Sequence, residues 1–327
     1  MSDLHGGPDA LGVPRWDFST NANACGPCPK VWEAVRSADA RHYPDPAYGA
    51  LRQALARHHG VAVTRIVLAG SASEFISRMS AAVAQGGGWR VWLPALAYGD
   101  YARAAKAWGL SRVSMPAQAD LLWLCEPSSP MGGAESEAIK AVAMANQAVV
   151  VLDRAYEPLR LSGACSLDAA ALERVWQLWS PNKALAMTGV RGAYAIAPAH
   201  GVHHAARLNA MAPSWPLGAH AVAMLNVWVQ PEVQAWLASS RAVLTDWKAR
   251  QVGLLTQLNW QCFNSDANYF SARPPAPLDA QALRAQGFKL RETTSLGLSG
   301  GWRLSVQPPQ AQDALVAACA MVREGSV

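Results

Sequence analysis

Apolar residues along the chain gather in short, nearly continuous runs separated by segments of helical spacing. The runs are Ile66 to Ala69, Trp89 to Leu93, Leu121 to Cys125, Ala148 to Leu152 and Val175 to Trp179. Each is too short for a helix and lacks a clean alternation, the pattern of strands covered on both faces. Between them, 47–58, 73–84 and 135–145 carry apolar residues at three- and four-residue intervals, as crossover helices do. The rhythm predicts an α/β chain whose mostly parallel sheet lies between residues ~60 and ~200. Beyond Pro213 the pattern turns to a long helical stretch, 217–258. A mixed tail follows, with Asn268-Tyr269-Phe270, a Gly/Ser loop and a last helix from Gln310. A smaller α+β domain is expected there.

Composition narrows the class. With 327 residues, 51% hydrophobic and 16% charged, the chain can bury a large core without staples, and no run of 18 apolar residues marks a membrane span. The 28 basic and 23 acidic residues leave +5, without a block of like charges that would suit nucleic acid. A diffuse positive excess suits small anions. The six cysteines are scattered, as reduced thiols are, and Cys25/Cys28 has no second pair to complete a zinc set. His58-His59 and His203-His204 lack partners at ligand spacing, so no metal is expected. The first residues carry no secretory pattern, which makes a cytoplasmic location the expectation.

Walker loops, dinucleotide fingerprints, nucleophile elbows and zincin helices are missing from the sequence. Chemistry gathers instead at strand ends. The run 148–152 leads into Asp153-Arg154-Ala155-Tyr156, and an acid at the carboxyl end of a buried parallel strand faces the crevice where α/β proteins bind ligands. The run ending at Trp179 leads into Ser180-Pro181-Asn182-Lys183, with Arg191 following. An amine placed there is a nucleophile for an aldehyde. Gly70-Ser71-Ala72-Ser73-Glu74 follows a strand and opens a helix with capping-box spacing, and the N–H groups of such a start suit a phosphate. Taken singly, Asp153 is equally a helix cap, Lys183 a solvated loop lysine, and Ser71 an ordinary cap.

Together, Asp153, Ala155, Tyr156, Ser180, Lys183 and Arg191 resemble the fold-type-I pyridoxal-phosphate (PLP) enzymes. Within these the likeness is to the branch of histidinol-phosphate aminotransferase and L-threonine-O-3-phosphate decarboxylase, and it covers nearly the whole chain. It implies a seven-stranded, mostly parallel sheet flanked by helices in a large PLP-binding domain, 45–215. A small domain with an N-terminal arm would comprise 1–44 and 216–327. By this resemblance Lys183 joins the PLP aldehyde and Asp153 pairs with the ring nitrogen. Tyr156 bonds the ring hydroxyl, Tyr98 stacks on the ring, and Ser71, Ala72, Ser73, Ser180 and Arg191 hold the phosphate. Tyr43, in His42-Tyr43-Pro44, would reach across a homodimer to the neighbour's cofactor. Arg303 would grip a substrate α-carboxylate and Arg291 a distal phosphate, and paired guanidinium forks suit two such anions.

His5-Gly6-Gly7 and 17–23, Asp-Phe-Ser-Thr-Asn-Ala-Asn, look more like the threonine-phosphate decarboxylases of cobalamin synthesis, with His5 and Asn23 as candidate substrate contacts. The implied reaction converts O-phospho-L-threonine to (R)-1-amino-2-propanol phosphate. Transamination of the histidinol-phosphate type is the alternative, because PLP chemistry breaks whichever α-carbon bond stands perpendicular to the ring. Three positions depart from the family pattern: Ser129 stands for the asparagine at the ring hydroxyl, Asn182 for a serine, and Arg154 for a glutamate. They raise a third reading, a catalytically silent protein of the PLP fold.

Overall fold

The computed structural model describes residues 6–135, 138–145 and 147–324, with side chains of the last helix as far as Cys319. After a two-residue strand, β1 (Trp16–Asp17), seven strands build the main sheet. They are β2 (Ile66–Ala69), β3 (Arg90–Trp92), β4 (Ser111–Arg112), β5 (Leu121–Cys125), β6 (Val149–Asp153), β7 (Trp176–Trp179) and β8 (Ala193–Ile196). Their order is β2-β8-β7-β6-β5-β3-β4, and β8 alone runs against its neighbours. The fold class read from the sequence is the one observed. Successive residues of β2 explain its continuous apolar run: Ile66 and Leu68 enter one core with Leu51, Leu55 and Trp228, while Val67 and Ala69 enter another with Phe75, Met79 and Trp176. Each face of the sheet thus has its own helix layer.

Several boundaries differ from the pattern reading. The strand expected at 148–152 is Val149–Asp153, with Asp153 at its carboxyl end as expected. Strand β4 is a short exposed edge without an apolar signature, and β8, a four-residue strand between loops, was also missing from the expected set. The long stretch 217–258 is two helices, Ala219–Trp228 and Pro231–Gln257, because Pro231 has no N–H to continue a helix but fits the first turn of a new one.

The last third contributes β9 (Gln261–Cys262), β10 (Tyr269–Arg273), β11 (Phe288–Lys289), β12 (Arg291–Glu292) and β13 (Trp302–Ser305). Strands β12-β13-β10-β9 form an antiparallel sheet over Phe18, Leu255, Trp260, Phe270 and Leu315. Strand β1 pairs with β11, and Phe18 exchanges backbone bonds with Lys289 and Ser305, so the start of the chain is built into its end. Among the described residues no helix is long and apolar enough to cross a membrane, and no three His, Cys, Asp or Glu side chains cluster as metal ligands. Cys25 lies in a loop and buried Cys28 caps the helix Pro29–Arg36.

Candidate active site

The carboxyl ends of β5, β6 and β7 open into a cleft of about 960 Å³, roofed by the N-terminal segment and by β12–β13. Its walls include Ser71, Ala72, Ser73, Tyr98, Ser129, Asp153, Tyr156, Ser180, Lys183, Arg191, Asn23, Arg291 and Arg303. Sequence-distant candidates therefore share one cavity. Tyr43 is not one of its lining residues. It is 78% exposed and stacks on Trp215 with ring centroids 4.4 Å apart. His5 lies outside the described residues.

Asp153 is buried at the end of β6. One carboxylate oxygen accepts the Ala155 N–H at 2.9 Å and the other the Tyr101 hydroxyl at 2.8 Å. Burial pushes its pKa up, while the Tyr101 bond, the charge of Lys183 and the Ala155 N–H pull it back down. Lys183 follows β7 in a tight turn in which Ala186 takes a left-handed φ of 55° and donates its N–H to the Lys183 carbonyl. The ammonium nitrogen sits 5.2 Å from the centroid of the Tyr156 ring. The turn is held from the N-terminal side as well, where the Asn23 N–H bonds the Lys183 carbonyl at 2.9 Å.

An anion cradle lies next to it. Ser71 caps the helix Ala72–Gln85 by accepting the Glu74 N–H, and Glu74 returns to the Gly70 N–H. A capped helix start presents first-turn N–H groups that the helix itself does not use. The buried Ser180 hydroxyl and the side-chain amide oxygen of Asn182 find no partner among the described residues, and Arg191 stands exposed at the rim. A buried polar atom in this state is completed by a water, an ion or a ligand, and Ser180 and Asn182 line the cleft. Cradle, carboxylate and amine together match a phosphorylated aldehyde with a basic ring nitrogen, which is the chemistry of PLP.

On the opposite wall, Arg291 and Arg303 are cross-strand partners in β12 and β13. Like charges directly opposite destabilise a strand pair, so such an arrangement suits a site that receives anions. Arg303 donates to the Ser129 hydroxyl at 2.9 Å and the Ser19 carbonyl at 3.1 Å, and Arg291 to the Ser295 hydroxyl at 2.9 Å. Ser129 thus anchors the guanidinium. Asn23 spends its amide on the Ala184 carbonyl and the Cys25 N–H, holding the turn. Its neighbour Asn21, 2% exposed and lining the cleft, leaves both amide atoms without a partner among the described residues. The Asn-x-Asn spacing alone did not tell which amide is left unpaired.

Arg154 is accounted for by its link to Glu126, the buried residue that follows β5. The two are ends of one ion-pair chain: Arg154 to Glu157 at 3.1 Å, Glu157 to Arg160 at 2.9 Å, and Arg160 to buried Glu126 at 3.9 Å. Arg154 also lies over Trp179 at 4.5 Å, and Glu126 accepts the Glu135 and Ser166 N–H groups. None of the four residues of this chain of ion pairs lines the cleft.

The family description "Aminotransferase class I and II" matches residues 15–318. The chain belongs to that family. It is accordingly a PLP-dependent enzyme of fold type I. Among curated relatives, histidinol-phosphate aminotransferase 2 of Burkholderia mallei is 27% identical over 296 residues, spanning 84% of this chain and 82% of that one. Among solved structures, histidinol-phosphate aminotransferase from Sinorhizobium meliloti, in complex with PLP, superposes with a TM-score of 0.80 at 21% identity, covering 94% of this chain and 90% of the other. L-Threonine-O-3-phosphate decarboxylase from Porphyromonas gingivalis gives 0.78 at 19% identity, covering 94% and 99%. At such identities the superpositions speak for the fold, and the family match carries the cofactor class. Sequence reasoning passed over Asn21 and Tyr101 within this family's site. The signal for Tyr101 was its place in the first turn of the helix that Tyr98 precedes, where its ring meets that of Tyr98.

Proposed function

We propose that this aminotransferase-family enzyme acts on a small amino acid carrying a second anionic group, with decarboxylation of O-phospho-L-threonine as the first reading. In this assignment Lys183 joins the PLP aldehyde, Asp153 faces the ring nitrogen, and Tyr156 and Ser129 lie at the ring hydroxyl. Tyr98 covers the ring, while Ser71, Ala72, Ser73, Ser180 and Arg191 take the cofactor phosphate. Tyr43, exposed and outside its own cleft, serves the neighbouring site of a homodimer. Arg303, steadied by Ser129, takes the substrate carboxylate, and Arg291 with Asn21 takes the distal phosphate.

Bound PLP supplies an electron sink for the pair released when an α-carbon bond breaks. The protein chooses the bond. Arg303 fixes where the carboxylate lies relative to the ring, and Lys183, with its amine in the same cleft, carries the proton to the α-carbon after carbon dioxide has left.

The observation that favours a small substrate is the roof. Gly7 donates its N–H to the Ser19 hydroxyl at 2.9 Å, its carbonyl accepts from Lys289 at 2.5 Å, and its φ of 92° suits glycine. A Cβ on Gly6 would run into the Ser19 carbonyl. The arm is thus pinned over the distal end of the cleft by glycines that allow close approach. Transamination of histidinol-phosphate type is the second reading, favoured by the activity named for the curated relatives. Purified enzyme given O-phospho-L-threonine should release carbon dioxide and 1-amino-2-propanol phosphate. Amino transfer to 2-oxoglutarate without gas release would reject the first reading in favour of the second.

A further inference from the structure

We infer that Tyr101 is the positioning residue that fixes the Asp153 carboxylate as the acceptor for the cofactor's ring nitrogen. The inference rests on the PLP reading and deepens it.

Tyr101 is 0% exposed and immobilised from two sides. Its ring lies parallel to Trp123 of β5, with centroids 4.9 Å apart and 8° between planes, and meets Tyr98 edge-on at 5.7 Å. Its backbone N–H bonds the Tyr98 carbonyl at 3.2 Å, at the start of the helix Gly99–Ala107. One rigid wall therefore carries both Tyr98, the ring that would cover the cofactor, and the hydroxyl that bonds Asp153. That hydroxyl donates to one Asp153 oxygen at 2.8 Å while the Ala155 N–H fixes the other, so the carboxylate plane is set by two donors from different elements.

A carboxylate removed from water stays ionised only if donors or cations replace the water. Around Asp153 those are Tyr101, the Ala155 N–H and Lys183, with Asp100 opposing them and the Cys125 thiol buried beside Tyr101. Once Lys183 is joined to the cofactor, its charge belongs to the reacting end of the ring. Tyr101 and Ala155 are then the permanent supports. Burial pushes the Tyr101 phenol well above its ordinary range, so it remains a donor throughout. Each carboxylate oxygen keeps a second lone pair for the ring N–H.

The test is Tyr101→Phe, which keeps ring and stacking and deletes only the hydroxyl. Apoprotein titrated with PLP and followed by absorbance should show a dissociation constant raised about tenfold, the usual consequence of losing one hydrogen bond to a charged group. With PLP labelled at the ring nitrogen, the 15N resonance should move from the protonated position of the wild type towards the unprotonated one. Apoprotein melting temperature reads folding separately. Tyr101→His, which packs worse but retains an N–H donor, should recover part of the 15N shift. A purely structural Tyr101 reverses that ranking: Phe would leave affinity and 15N position unchanged while His would be the more damaging, and this outcome overturns the inference. Failure of the wild-type protein to bind PLP would instead overturn the cofactor reading itself.

Discussion

Two guanidiniums held opposite each other across β12 and β13 are the plainest sign at the residue scale that part of this protein is built for a ligand rather than for stability. Their repulsion costs the empty fold about 0.2–1 kcal/mol, a charge that a bound dianion reverses. Replacing Arg291 with methionine should therefore leave apoprotein stability to urea unchanged or raised by about 0.5 kcal/mol. The same change should raise KM for a phosphorylated amino acid by ~30-fold or more, as expected for loss of a charge-assisted bidentate contact. A destabilised apoprotein with unaltered KM would contradict the assignment. Asp153 and Lys183 were legible in the sequence because each follows an apolar run, so the strand end announces where the side chain goes. Asn21 was not legible. It differs from Asn23 only in which way a turn faces, and that is decided by the Ala184 carbonyl, 161 residues beyond Asn23.

At the scale of elements, the helix start at Ser71 joins stability to binding. The capping bond from the Glu74 N–H stabilises the helix Ala72–Gln85, whose first residues Ala72 and Ser73 line the cleft. Ser71→Ala should lower apoprotein stability by about 1 kcal/mol and, separately, weaken PLP binding several-fold. Loss of stability with undiminished PLP affinity would remove Ser71 from the phosphate site and leave it a cap. The buried strands β2, β5 and β6 could be read directly because both of their faces are covered. The exposed edge β4 has no hydrophobic pattern to read, and the helix break before Pro231 lay inside a stretch whose periodicity runs through it.

Over the whole molecule, the first residues and the last third form one unit: β1 pairs with β11, and the roof of the cleft hangs from both. The hydrophobic pattern placed the sheet but could not show that the N-terminal segment closes the cavity, since that depends on contacts nearly 300 positions apart, such as Gly7 with Lys289. The Ser129 and Arg154 departures also look different at this scale. One anchors Arg303, and the other joins Glu126 in an ion-pair chain outside the cleft lining, so neither empties the site.

The account as a whole depends on the Lys183 amine reaching a PLP aldehyde held between Tyr98 and Asp153. Borohydride reduction of PLP-saturated enzyme, followed by peptide mapping, tests this most directly. The expected result is a single pyridoxyl group on the peptide containing Lys183, absent from Lys183→Ala. A pyridoxyl group on another lysine, or no modified peptide from saturated protein, would contradict it.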